Sequence, residues 1–149
     1  MFDQLNKYTI KGHFIFRKDD TLSHVCTAPD AKSGIFISGV YIVYAISKEK
    51  IELVYIGRSG KIGKDGNIQH RKAGCGGIKD RIINGKDSDK IPRRKSWLAK
   101  IEIEKIDALD IYWYVTYDQK NKDCPDVIES QLLQIFDSVY NARPRWNRR

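Results

Sequence analysis

Apolar and polar positions alternate in blocks along the middle of the chain. IFISGVYIVYAI (35–46) and IELVYI (51–56) are short apolar runs separated by the polar SKEK (47–50). Both runs are rich in β-branched and aromatic residues, which predicts two strands joined as a β-hairpin. IYWYVTY (111–117) has the same character and predicts a third strand. Upstream, LNKYTIKGHFIF (5–16) is β-prone and RKDD (17–20) supplies a turn, which predicts an extra N-terminal β-hairpin. TAPD (27–30) reads as a loop leading into the first core strand. Elsewhere the spacing turns helical. IKDRII (78–83) predicts a short helix stopped by Asn84-Gly85, and Ser96 is a candidate N-cap for a helix running to Lys105. PDVIESQLLQIFDSVY (125–140) is the most regular helix: Ile128, Leu132, Ile135, Phe136 and Val139 recur at the spacing of one buried face. The segment 57–77 is polar and glycine-rich, which predicts a long surface loop of a kind that is often functional. The order strand, strand, helix, helix, strand, helix predicts an α+β fold. Its centre would be a small, mostly antiparallel, three-stranded sheet flanked by helices. With no repeat or linker, residues 1–149 form one expected domain, 1–33 an N-terminal extension and 34–149 the core.

Composition narrows the function. Hydrophobic residues make up 41% of the 149, enough for a packed core and too many for disorder. There is no apolar run of membrane-spanning length and no apolar signal-peptide core, so a soluble, cytoplasmic protein is expected, with no membrane partner. Cys26, Cys75 and Cys124 are scattered, which argues against a zinc site or a disulfide framework. Lys and Arg outnumber Asp and Glu by 27 to 19, a net charge of +8 that suits a polyanionic partner. Two clusters concentrate this charge: Arg93-Arg94-Lys95 after Pro92, and the C-terminal ARPRWNRR containing Arg145. Trp97 and Trp146 lie within them, and an aromatic beside cations can stack on nucleic acid. Trp97 is assigned to the core.

Two triplets on the predicted hairpin, Gly39-Val40-Tyr41 and Tyr55-Ile56-Gly57, place a tyrosine beside a glycine on each strand. Further on come Arg81 in IKDRII, Glu129 in VIESQLL and the string Pro144-Arg145-Trp146-Asn147. In this order, and across about three quarters of the chain, these elements resemble the GIY-YIG nuclease superfamily. The resemblance implies a metal-dependent endonuclease that hydrolyses phosphodiester bonds in DNA, duplex or branched. It implies Tyr41 as general base, Tyr55 as its partner in orienting water or phosphate, and Arg81 as the grip on phosphate oxygens. Glu129 would hold one divalent cation, magnesium or alternatively manganese, and Asn147 would steady the site; Asn141 competes for that last role. Gly57 would give backbone room beside the substrate. Arg58, His70, Arg93, Arg94, Lys95 and Arg145 are the candidate nucleic-acid contacts. The first triplet departs from the family in carrying Val40, and the stretch from Gly57 to Arg81 is longer than in compact members. Where some members carry a histidine or tyrosine one turn after the arginine, this chain has Gly85, and His70 is the candidate substitute. Other readings stay open: Asp126 and Glu129 fit a helix capping box, and the fold also suits an inactive DNA-binding protein or an RNA-directed one. A monomer or a weak homodimer is expected.

Overall fold

The computed structural model describes residues 1–30, 37–62, 68–69, 77–86 and 90–147. Its centre is a hairpin of β2 (Ser38–Ser47) and β3 (Lys50–Ser59). The strands are joined by Lys48 and Glu49, both in the left-handed region with φ of 25° and 60°. Paired positive φ values twist a two-residue turn in the sense the strands require. β6 (Ala108–Tyr117) pairs with the other side of β2, and β1 (Lys11–Phe16) pairs with β6. The sheet therefore has four antiparallel strands in the order β1-β6-β2-β3. Among the described residues, β4 (Lys61–Ile62) and β5 (Ile68–Gln69) form a second, two-stranded ribbon within the predicted loop.

The N-terminal segment departs from the expected hairpin. Residues Asp3–Lys7 form a 3-10 helix and only β1 is extended, so the central sheet gains a fourth strand. Packing explains the difference. Leu5 and Tyr8 are buried on one face of the sheet with Val40, Ile42, Ile56, Ile128 and Leu132. Phe14, Phe16, Leu22 of the single-turn α1 (Leu22–Val25), Cys26 and Ala28 are buried on the other. A self-contained hairpin would leave one of these sets without a core to enter.

Helices cover both faces. α2 (Gly77–Asn84) and α3 (Arg93–Glu104) pack on the face of Tyr41, Val43 and Ala45 through Ile78, Ile82, Trp97 and Ile101. α4 (Pro125–Tyr140) packs on the Val40 and Ile42 face through Ile128 and Leu132. Its start is set by Pro125, which lacks the N–H a first helical turn cannot use. Cys124 is the N-cap and makes no side-chain cap, so the Asp126–Glu129 capping box does not form. Val139, expected on the buried face, is 57% exposed. α3 starts three residues before Ser96, at Arg93, and Ser96 is buried within it. Among the described residues no helix is long and apolar enough to cross a membrane.

Candidate active site

The hairpin register sets Tyr41 opposite Gly57. A Cβ at residue 57 would lie 2.4 Å from Tyr41 Cζ, 2.5 Å from its Oη and 2.6 Å from Tyr55 Cε2. Glycine is therefore needed for the Tyr41 ring to lie across β3. Tyr55 reaches the same face through a bulge. Tyr44 pairs with Leu53 and Val43 with Tyr55, which leaves Val54 as an extra residue on β3. Val54 and Tyr55 consequently share the α2 face; in the unbroken register Tyr55 would stand opposite Ile42 and face α4. The two rings lie 5.9 Å apart and are tilted by 37°.

Two arginines approach these tyrosines and a third turns away from them. Arg81 arrives from α2, held in place by the buried Ile78 and Ile82 on either side. Arg93 arrives from α3; it is 3% exposed and donates from Nη2 to Tyr55 Oη at 2.7 Å. Arg58 follows Gly57 on β3 and points to the opposite face, where its Nη1 donates to Glu129 Oε1 at 2.8 Å. Its Nε lies 3.6 Å from Asp126 Oδ1. Glu129 is buried on α4, beside a groove of about 370 Å³ lined by Arg58, Asp126, Ser130, Asp137 and Arg143. The Glu129 carboxylate is near enough to Tyr41 to oppose its ionisation.

Two polar atoms at this centre are buried without a hydrogen-bond partner among the described residues: Tyr41 Oη and Arg81 Nε. Buried polar groups are nearly always satisfied, so a pair of orphans in one place requires a cause. Burial pushes the Tyr41 phenol well above its ordinary value. The Arg93 and Arg81 charges oppose that rise, while Tyr55 and Glu129 add to it.

The remaining candidates sit apart from this centre. Asn147 acts as a substitute strand: its Oδ1 accepts from Ile56 N and its Nδ2 donates to Ile56 O, both at 2.8 Å. Trp146 N donates to Val54 O at 2.8 Å, so the C-terminal tail lies along the open edge of β3. Asn141 is instead the left-handed C-cap of α4. Arg145, expected on nucleic acid, is engaged with Glu52 and Glu104 at 2.7 and 2.8 Å. Arg94 and Lys95 are exposed, and Arg94 donates to Asn84 Oδ1. Arg93 differs from its two neighbours in being interior, and its place in the site was not legible as one of a basic run. The clue was spacing: Arg93, Trp97 and Ile101 stand four apart and share the buried stripe of α3. His70 lies outside the described residues. No group of three or more His, Cys, Asp or Glu stands together among the described residues. Glu129 lies on the α4 side of the sheet, paired with Arg58 and flanked by Asp126, and acts on Tyr41 through its charge. Comparisons of this chain with protein-family models, curated proteins and solved structures find no match.

Proposed function

We propose that this protein is a metal-dependent endonuclease that hydrolyses phosphodiester bonds in DNA, as its resemblance to the GIY-YIG superfamily implies. One observation carries the reading: a buried phenol and a buried guanidinium N–H, both unpartnered among the described residues, with the buried Glu129 carboxylate close enough across the sheet to act on that phenol. A phosphate diester would satisfy both orphans, as acceptor for Arg81 and as the group whose attacking water Tyr41 faces. Hydrolysis needs a water oxygen to bond to phosphorus as the bond to the departing 3′ oxygen breaks. The proton leaving the water goes to Tyr41 in its phenolate form, and the departing 3′ oxygen takes a proton from solvent. Arg81 binds the equatorial oxygens, where negative charge grows. Tyr55 fixes the water or phosphate by hydrogen bonding, and Asn147 braces the strand that carries Tyr55 and Gly57.

The donor set suits a shared magnesium site. Magnesium commonly takes one or two carboxylates and completes its shell with water and substrate phosphate. Glu129 would hold it, with Asp126 nearby. When bound, the cation supplies positive charge to the phosphate and the leaving oxygen.

A second reading is DNA binding without cleavage. It is favoured by the Arg58–Glu129 ion pair, which occupies the carboxylate a metal would use. Cleavage of supercoiled, linear and branched DNA with magnesium or EDTA separates the two. Glu129→Gln keeps the shape and removes the charge, so metal-dependent cutting should disappear in the variant while DNA binding persists. DNA retention with no cutting under several metals would favour the binding reading, and cutting by the variant at the parental rate would remove Glu129 as a metal ligand. Competition by RNA tests the choice of nucleic acid.

A further inference from the structure

Arg93 has the burial of a core residue and the chemistry of a phosphate ligand. Its side chain leaves the first turn of α3, crosses Gly85 and ends beside two aromatic rings. The guanidinium carbon lies 5.2 Å from the Tyr55 ring centre and 5.9 Å from that of Tyr41. Nη2 holds the Tyr55 hydroxyl, while Nη1 donates to the Arg81 carbonyl oxygen at 3.4 Å. This path exists because residue 85 has no side chain. A Cβ there would lie 2.0 Å from Arg93 Nη1 and 2.3 Å from Arg81 O. The Arg93 backbone N–H also donates to Gly85 O at 3.0 Å, which ties the start of α3 to the end of α2. An apolar side chain would fill this space without desolvating a charge. What the guanidinium adds to such a filling is its hydrogen bond to Tyr55 and its place over both rings.

We infer that Arg93 is a positioning residue of this site: its guanidinium fixes the Tyr55 hydroxyl and braces both tyrosine rings, reaching them through the gap left by Gly85. The catalytic consequence rests on the nuclease reading; the brace itself does not. Around the Tyr41 phenol stand Tyr55 from β3, Arg81 from α2, Arg93 from α3 and Glu129 from α4. Among the described residues Arg93 is thus one of two cations facing it, and the one bonded to its neighbouring phenol.

The test uses Arg93→Met and Arg93→Lys, each alone and combined with Tyr55→Phe. Single-turnover cleavage, DNA affinity and thermal melting are measured for each. Arg93→Met should slow cleavage about 100-fold, the scale of loss that accompanies a misplaced site group, with affinity changed less than about threefold. In the Tyr55→Phe background the same change should add little, because the hydrogen bond is already gone. Arg93→Lys keeps charge without the fork and should recover part of the rate; it also carries the test if the methionine variant melts. Equal losses in both backgrounds, or a parental rate in Arg93→Met, would overturn the inference. If the parent cuts nothing, the nuclease reading fails separately, and tyrosine ring-flip rates by NMR judge the brace. Faster flipping of Tyr55 in Arg93→Lys supports it, and unchanged flipping refutes it.

Discussion

Tyr41 poses the sharpest question at the scale of single residues, because its surroundings push it away from the state a base requires. It is wholly buried, and burial favours the neutral phenol. If Tyr41 accepts the proton from water, the active fraction grows tenfold for each pH unit below its raised value. Cleavage should therefore climb with pH through the neutral and alkaline range, limited only by loss of folding. Tyr41→Phe should cost at least about 100-fold, within the usual span for a missing general base, and should flatten the slope. A variant that cuts at the parental rate, or keeps the slope, would show that another group takes the proton. The two tyrosines and glycines were legible in the sequence because a hairpin register is short-range: residues sixteen apart along the chain, such as Tyr41 and Gly57, meet whenever the turn is tight. Arg93 was not, since its partner Tyr55 lies 38 residues away and three consecutive cations resemble a solvated surface.

Among elements, the C-terminal tail depends most plainly on charge. Arg145 bridges Glu52 on β3 and Glu104 on α3, and Trp146 donates to Glu104 at 3.2 Å. The hydrogen bond from Arg145 holds the Glu52 carboxyl below its ordinary value of 4.5, although burial opposes it. A depressed acid stabilises the fold above its unfolded value, and that contribution is lost as pH falls through the folded one. The tail should therefore loosen as the solution is acidified below pH 4.5. Emission from Trp146, taken as the difference between the parent and Trp146→Phe, would follow it. Arg145→Met should remove the acid sensitivity; because Arg145 is half-exposed, the accompanying stability loss should be small, about 0.2–1 kcal/mol. A tail that stays docked until global unfolding would contradict this account. The strands and α4 were readable because alternation and helical spacing are properties of contiguous residues. The fate of β1 was not: its pairing with β6 spans about a hundred residues and is set by where Phe14 and Phe16 find a core.

For the molecule as a whole, the net charge of +8 overstates the surface offered to a polyanion. Arg93 is interior, Arg58 is paired with Glu129, and Arg145 is shared between two glutamates. Arg94 and Lys95 are the exposed cations of the central basic cluster. Replacing both with glutamine should reduce the salt dependence of DNA affinity by about 1.8 in the log–log slope, roughly 0.9 for each phosphate that is no longer neutralised. An unchanged slope would place them away from the nucleic acid.

The tail has one more effect, on the company the protein keeps. The sheet ends at β3, where outward-facing amide and carbonyl groups would form a template for any extended chain. Asn147 commits its side-chain amide to both groups of Ile56, and Trp146 takes the carbonyl of Val54. The middle of the strand bearing the Tyr55 triplet is thereby closed to addition by a second molecule. The same contact that holds the tyrosine strand in shape protects the protein from growing into a fibre along it.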